Sequence, residues 1–204
     1  MYPKKFFYEN LQHGRFECCG KYDIPKLKGS RRTDSAEFIG FNFAQSEKCK
    51  SDKGLHFFLD DYQFDRVWND PPRYLNLLKQ FDFVLSPDFS LFADFPVSMQ
   101  IYNHYRKHWL GAFWEQNGIE VIPTISWSTP DSFEWCFDGE PRGSVVAVSN
   151  VGCMRNSECR ELFLLGFEEM KRVLQPSTVL CYGAELDGTI NIVPYCKKLK
   201  KMNN

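Results

Sequence analysis

Short apolar runs alternate with helix-like segments along most of this chain, and this alternation constrains its fold more than any other feature. Residues 55–59, 81–85 and 178–183 are compact apolar runs bounded by polar or turn-forming residues. Residues 144–149 (SVVAVS) are rich in β-branched side chains, which is typical of a strand buried on both faces. Strands that alternate with helices at this spacing predict stacked βα units and a largely parallel sheet.

Three segments between the runs carry helical patterns. Residues 73–80 follow Pro71 and Pro72, and proline is well tolerated in the first turn of a helix because its missing N–H would have no partner there. Residues 96–117 end before a glycine and residues 157–175 end before a proline, which are the residues that commonly close helices. These segments therefore predict the covering helices of the βα units.

The number of strands favours a partial barrel over a closed one. Residues 37–44, 119–127 and 190–193 add candidate strands, giving five to seven in all. A closed eight-fold barrel typically needs about 250 residues, and this chain has 204. We predict an α/β fold of mostly parallel βα units that form a reduced or partial TIM-barrel-like fold. An open doubly wound sheet is the alternative, although no Gly-rich dinucleotide motif or phosphate loop is present.

A single domain over residues 1–204 is the expected organisation, because a chain of this length normally builds one core. Residues 1–36 predict an irregular N-terminal segment, and residues 197–204 predict a basic tail. The apolar runs are far shorter than the ~20 residues that cross a bilayer, and no signal peptide is visible. We therefore expect a cytoplasmic protein with no membrane partner. The net charge of −1 argues against a nucleic-acid partner.

No histidine or cysteine pattern in the sequence matches a standard metal site. The eight cysteines include no Cys-x-x-Cys pair, so we expect reduced thiols and assign no metal ligand. The weaker alternative is a zinc site formed by His13, Cys18, Cys19 and Cys49. His104 and His108 lie four residues apart without the glutamate of the His-Glu-x-x-His pattern, and we expect them on a solvated helix face.

Polar and aromatic residues follow several predicted strands at the edge where parallel sheets bind their ligands. In both candidate architectures this is the carboxyl end of the strands. The candidates are Asp60, Asp61, Asp88, Ser126, Trp127, Ser149, Asn150, Tyr182 and Glu185. We predict that they share a pocket with carboxylates and an aromatic wall. The competing interpretation is structural, because Asp and Ser after a strand commonly form turns and cap helices.

The carboxylates carry the predicted chemistry. We assign Asp61 and Asp88 as the acid–base or metal-holding pair, with Asp60 and Glu185 in reserve. One carboxyl group can act as an acid while its neighbour acts as a base, or both can hold a divalent cation, which is the one cofactor candidate. Trp127 would stack on a substrate. The predicted substrate-binding set is completed by Ser126, Ser149, Asn150 and Tyr182.

Five stretches taken together resemble an uncharacterised family of phages and bacterial mobile elements, the domain of unknown function numbered 4417. They are residues 58–64 (FLDDYQF), 85–92 (LSPDFSLF), 121–127 (VIPTISW), 132–137 (SFEWCF) and 181–183 (CYG). The resemblance covers roughly residues 38–185, and the order of the stretches is distinctive. The resemblance implies that the chain comes from a phage or a mobile element, and it assigns no catalytic residues to this sequence.

Two functions remain open at this point. The first is an enzyme, a hydrolase or transferase that acts on a sugar, a nucleotide or a nucleic-acid end through the strand-end carboxylates. The second is a non-enzymatic phage protein that binds a host protein or sequesters a signalling nucleotide. The partners implied are therefore a small-molecule or nucleotide ligand in the first case, and a host protein or a nucleotide in the second.

Overall fold

The computed structural model describes residues 16–32 and 37–192, and these form a mixed α/β protein. The strands are β1 (Cys18–Cys19), β2 (Ile24–Pro25), β3 (Glu37–Gly40), β4 (Lys53–His56), β5 (Phe83–Leu85), β6 (Val121–Ile122), β7 (Val145–Ser149), β8 (Thr178–Tyr182) and β9 (Ile190–Ile192). The helices are α1 (Phe41–Ala44), α2 (Arg66–Asn69), α3 (Pro71–Leu78), α4 (Val97–Gln116) and α5 (Ser157–Leu174). Short 3₁₀ turns cover Asp61–Gln63, Pro130–Glu134 and Cys153–Arg155.

The strands of the two main sheets run parallel and follow chain order. One sheet has the order β3-β4-β5-β6 and the other has the order β7-β8-β9, while β1 and β2 form a small antiparallel pair. The two parallel sheets are joined through the residues that follow β6. The Ala147 amide donates to the Pro123 carbonyl over 2.8 Å, and the Ile125 amide donates to the Ala147 carbonyl over 2.8 Å. The predicted parallel βα organisation is therefore confirmed.

Side chains alternate between the two faces of these strands, as the pleat requires. One face of both sheets contributes to a single apolar cluster, which contains Phe38, Phe58, Phe83, Leu85, Ile122, Val145, Ala147, Leu180 and Ile192. The opposite face packs under helices. Val84 and Val121 join Trp109 of α4 in a second cluster, and Val148 joins Phe163 of α5 in a third.

The N-terminal candidate strand is shorter than predicted. The sequence pattern favours a strand over residues 37–44, but β3 ends at Gly40 and α1 begins at Phe41. Phe41 and Ala44 are buried, whereas Phe43 is half exposed. Positions three apart lie on the same side of a helix, so the helical turn buries both residues and leaves Phe43 outside.

The polar side of α4 is buried, which corrects the predicted solvated face. His104 and His108 are 1% and 0% exposed, while Met99 and Tyr102 on the same helix are about half exposed. The reason is tertiary: the Pro25 carbonyl of β2 lies against His108, so a segment distant in sequence covers this side. The spacing of apolar residues within the helix cannot reveal that a distant segment packs against this side.

Several predictions fall outside the described residues. The basic tail over residues 197–204 lies there, as does part of the predicted irregular segment over residues 1–36. Within residues 16–32, Ser30 bridges antiparallel to Val145 and thereby attaches this segment to β7. Over the part of the chain that the structure describes, no helix combines the length and the hydropathy needed to cross a membrane.

Candidate functional site

A cavity of about 570 Å³ opens at the carboxyl ends of the parallel strands, and we call it the strand-end cavity. Its lining comes from the residues that follow β4, β5, β6, β7 and β8, and from one side of α5. Six of the predicted site residues line it, namely Asp60, Asp88, Ser126, Trp127, Ser149 and Tyr182. A hollow of this volume is of the size that holds small-molecule ligands.

Aromatic rings form two walls of the strand-end cavity. The rings of Phe58 and Tyr182 stack with their centroids 5.0 Å apart, and the rings of Trp127 and Phe163 lie 5.2 Å apart. Trp127 rests on Gly166 of α5, where an added Cβ would come within 2.2 Å of the indole Nε1. Glycine inside a helix is destabilising relative to alanine by roughly 0.5–1 kcal/mol. Gly166 therefore makes room for the indole at the expense of helix stability.

Asp88 is the carboxylate whose environment best suits proton transfer. Its side chain is half-buried and lines the cavity, and no hydrogen bond to it is found among residues 16–32 and 37–192. Burial raises the pKa of Asp88 to about 7, partly offset by the Lys107 ammonium and reinforced by Asp61. A carboxyl group with a pKa near neutrality can both donate and accept a proton under physiological conditions.

Asp61 is held by neighbouring groups and does not line the cavity. Its carboxylate accepts hydrogen bonds from the Ser90 hydroxyl, at 2.9 Å, and from the Ser90 amide, at 3.2 Å. Arg106 of α4 approaches the same carboxylate at 3.5 Å. Burial raises the pKa of Asp61, and the Ser90 hydrogen bonds and Arg106 oppose that rise. Asp61 thus ties the segment after β4 to the segment that carries Asp88.

The remaining predicted residues occupy three different positions. Asp60 is exposed at the mouth of the cavity, where it accepts a long hydrogen bond of 3.4 Å from Gln63. The Asn150 side chain both donates to and accepts from the backbone of Ala184 at 2.8 Å, so its amide is occupied in holding the loop after β8. Glu185 is exposed and lies outside the cavity lining.

Hydroxyl groups provide most of the other polar lining. Ser126 Oγ and Ser128 Oγ are buried and have no hydrogen-bond partner among the residues described, so their hydrogen-bonding capacity is unused. Asp60 and Asp88 are the charged residues that line the cavity, and no Lys, Arg or His joins them in the described part of the chain. The electrostatic character of the cavity is therefore acidic.

Several lining residues were not predicted from the sequence. Phe58 and Phe163 belong to the walls, and the free thiols of Cys153 and Cys159 lie at the α5 side. Burial, with Cys159 and Asp88 nearby, raises the pKa of Cys153, which disfavours the thiolate that a nucleophile requires. Phe58 lies two residues before Asp60, in the predicted strand that Asp60 follows, and this position is the sequence signal that could have identified it. Nothing local marks Phe163 as a wall residue.

A buried histidine lies behind the aromatic wall. His56, at the end of β4, has its ring 5.0 Å from that of Tyr182, and its Nδ1 accepts a hydrogen bond from the Phe58 amide. Burial lowers the pKa of His56 to about 4, so the imidazole is neutral at physiological pH. It therefore adds no positive charge next to the cavity.

The residues capable of holding a metal lie elsewhere. Within residues 16–32 and 37–192, one group of three side chains has its ligand atoms close enough together for an ion, and it consists of His104, His108 and Glu140. No such group occurs in the described lining of the strand-end cavity. Of the alternative N-terminal zinc site, His13 lies outside the described residues, and Cys18, Cys19 and Cys49 are free thiols.

The fold and the cavity together define an α/β protein with a ligand-sized hollow at the carboxyl ends of parallel strands. By sequence, the chain belongs to the family described as a domain of unknown function, DUF4417, whose model matches residues 16–195. The resemblance expected from the sequence is therefore confirmed.

Two relatives place this family in phages. The Gene 1 protein of Mycobacterium phage L5 is 43% identical over 185 residues, which cover 89% of this chain and 79% of that protein. The Gene 1 protein of Mycobacterium phage D29 is 39% identical over 183 residues, which cover 89% of this chain and 67% of that protein. No solved structure matches this chain.

Proposed function

We propose that the strand-end cavity binds a small uncharged or cationic molecule with a flat ring face, such as a sugar or a nucleoside, and that Asp88 transfers a proton to or from it. The observation that carries this proposal is the environment of Asp88, a carboxylate without a hydrogen-bond partner among the described residues that faces a cavity with aromatic walls. In this role Asp88 would be the general acid or base of a hydrolase or a transferase.

We infer that the seven parallel strands form one curved, partial TIM-barrel-like sheet. The support is that neighbours in the sheet are consecutive in the chain, without the reversal of order that a doubly wound sheet needs, and that strands from β3 to β9 share one apolar cluster. Such a sheet brings all its carboxyl ends to one rim, where ligands bind in barrel enzymes.

The charge of the lining selects among the ligand classes predicted from sequence. A phosphate group would meet Asp60 and Asp88 with no cation in the described lining to balance it. Nucleotides and nucleic-acid ends are therefore disfavoured, as is sequestration of a signalling nucleotide. Sugars and nucleosides offer hydroxyl groups for Ser126 and Ser149 and ring faces for Trp127 and Tyr182.

The simplest reaction for one such carboxyl group is hydrolysis of a bond to oxygen. Protonated Asp88 donates its proton to the leaving oxygen as the carbon–oxygen bond breaks. Water supplies the hydroxyl group that bonds to the carbon, and the second proton of that water restores Asp88 to its protonated form. Proton transfer of this kind raises the rate of bond breakage as general acid catalysis.

A binding screen tests the proposal directly. Wild-type protein is titrated with matched pairs of nucleosides and nucleoside monophosphates, and with neutral sugars, by calorimetry. We expect at least one uncharged compound to bind at least ten-fold more tightly than its phosphorylated partner, and D88N to lose turnover of it while keeping its fold. Glu185→Gln is the matched control and should behave as wild type. Preference for the phosphorylated partner would contradict the proposal.

A second candidate function is binding of a host protein by the rim of the cavity. Tyr62 and Phe92 are 77% and 57% exposed on the segments that follow β4 and β5, and exposed aromatic side chains contribute strongly to protein interfaces. Replacing both by serine should then abolish co-purification of a host protein in stoichiometric amount. Ligand binding in the cavity should remain in the Tyr62→Ser single variant, because Tyr62 does not line the cavity whereas Phe92 does. A cytoplasmic site of action is part of both proposals.

A further inference from the structure

A compact polar cluster lies inside the molecule, away from the strand-end cavity, and we call it the α4 cluster. It consists of His104, Lys107 and His108 of α4 together with Glu140. All four side chains are 1% exposed or less. One ligand atom from each of His104, His108 and Glu140 lies within 4.8 Å of the others. This burial is the opposite of the solvated face expected from the helical pattern.

Both histidines are oriented by backbone carbonyls. Nε2 of His104 lies 3.0 Å from the Asp138 carbonyl, and Nδ1 of His108 lies 2.8 Å from the Pro25 carbonyl. Because a carbonyl can only accept, each of these ring nitrogens carries a hydrogen. Metal-binding histidines are typically held in this way. The second nitrogen of the His104 ring, Nδ1, has no partner among the described residues. The second nitrogen of the His108 ring, Nε2, lies 2.9 Å from Glu140 Oε1, and the hydrogen that these two atoms share must leave before Nε2 can act as a ligand.

Two buried atoms of the cluster have no partner among the described residues. They are Nδ1 of His104 and Oε2 of Glu140. Buried polar atoms in folded proteins are nearly always satisfied, and an exception calls for an explanation such as a bound ion. The other carboxylate oxygen of Glu140 is occupied, since it accepts from Lys107 over 2.8 Å. Lys107 also donates to the Thr124 carbonyl over 2.8 Å, which anchors its ammonium group at a second point.

We propose that His104, His108 and Glu140 bind a divalent transition-metal ion, Zn²⁺ foremost, which fastens helix α4 to the segment that carries Glu140. Two imidazoles and one carboxylate are a ligand set that zinc uses in proteins. When the ion binds, the hydrogen that His108 Nε2 shares with Glu140 Oε1 leaves to solvent as a proton, and the lone pair freed on Nε2 binds the metal. The site therefore forms without any oxidant or other co-reactant.

The surrounding charges are compatible with a dication. Three carboxyl groups act on this region, because Glu140 contacts Lys107 and His108, Asp138 lies within electrostatic range of His108, and Asp88 lies within range of Lys107. Lys107 is the ammonium group that Glu140 contacts directly. The negative charges of Glu140 and Asp138 offset part of the charge of a dication, which lowers the cost of burying it.

Metal analysis of the full chain tests this proposal. The purified protein is treated with a chelator, dialysed, and reloaded with Zn²⁺ or Co²⁺. We expect about one equivalent of metal per chain, a melting temperature that rises on reloading, and a Co²⁺ spectrum of nitrogen and oxygen ligation without intense sulfur-to-metal bands. H104Q and E140Q should each weaken Zn²⁺ binding at least ten-fold.

His56→Gln provides the matched control, because His56 is buried but lies outside the α4 cluster. This variant should bind Zn²⁺ as wild type does. If the cluster variants fail to fold, the Co²⁺ spectrum and the metal-dependent melting of wild type decide the question. Absence of metal after reloading, a thiolate spectrum, or unchanged Zn²⁺ binding in both cluster variants would overturn the proposal.

Discussion

The strand-end cavity and the α4 cluster both contain buried polar atoms without a partner among the described residues, but only the α4 cluster pairs its charged groups. In the cavity, Asp88 and the hydroxyl of Ser126 make no hydrogen bond to the described residues. In the α4 cluster, Lys107 and Glu140 are turned toward each other at 2.8 Å. Polar groups without partners beside open space therefore indicate ligand binding, whereas charges paired in a core each depend on the partner to offset the cost of burial.

The largest effect is expected when one charge of the α4 cluster is removed. Lys107→Met leaves the Glu140 carboxylate buried without its ammonium partner, and we expect a loss of about 3–5 kcal/mol in the free energy of unfolding. The measurement is urea denaturation in the presence of a chelator, so that no metal ion replaces the lost charge.

The double variant K107M/E140L serves as the control for this prediction. It removes both charges, and replacing a buried ion pair by apolar residues is often close to neutral. We therefore expect it to be more stable than Lys107→Met alone. A double variant as unstable as the single one would show that packing, rather than the unpaired charge, causes the loss.

A smaller loss is expected for Asp61, which holds the edge of the cavity. Asp61→Ala removes the hydrogen bonds from Ser90 and the contact with Arg106, and we expect a loss of about 2 kcal/mol in the free energy of unfolding. Because Asp61 fixes the segment that carries Asp88, ligand affinity should fall as well. Asp61→Asn, which keeps a hydrogen-bond acceptor, should recover part of both losses.

Asp88 should behave in the opposite way, because its ionised form is destabilised in the folded protein. Its pKa rises from 3.8 to about 7, so the folded state keeps a proton that the unfolded state has lost over this range. The stabilising contribution is complete below pH 3.8 and disappears as the pH rises through about 7. Asp88→Asn should therefore gain stability relative to wild type on going from acidic to neutral pH.

We expect this gain to be on the order of 2 kcal/mol, less than the full shift implies because the carboxylate faces an open cavity. Denaturation of both proteins across the pH range provides the measurement. His56 should show the opposite pH dependence. Burial lowers its pKa to about 4, so its contribution to the free energy of unfolding is present above pH 6.5 and is lost as the pH falls toward 4. A gain for Asp88→Asn that does not depend on pH would contradict the assignment.

Much of the fold could be predicted because its signals are local. Apolar runs bounded by turn residues placed β4, β5, β7 and β8 within a few residues of their observed positions, and proline and glycine marked the ends of α4 and α5. The burial of the polar side of α4 could not be predicted in this way. It depends on contacts of His108 with Pro25 and Glu140, which are far away in sequence.

The location of the site at the carboxyl ends of the strands could be predicted from the sequence. The directions in which the individual side chains point could not. The rule that ligands bind at strand carboxyl ends is enough to bring Asp88, Trp127 and Tyr182 to one cavity. Asp61 and Asn150 follow strands just as Asp88 does. Their side chains instead bond to Ser90 and Ala184, and only the tertiary structure reveals such partners.

The smallest effects are expected for the two reserve carboxylates, and comparing them distinguishes a residue at the mouth of the cavity from one on the outer surface. Asp60 lines the mouth and Glu185 lies outside it, and both are exposed. Neither Asp60→Asn nor Glu185→Gln should change the free energy of unfolding by more than about 0.5 kcal/mol, as is usual for surface substitutions.

Asp60→Asn alone should weaken binding of a cationic ligand, by less than about 1 kcal/mol because solvent screens an exposed charge. Calorimetry at low and high salt measures this, since the Asp60 effect should shrink as salt rises. Equal effects of the two substitutions on binding would mean that long-range charge, rather than the position of Asp60 at the mouth, governs ligand affinity.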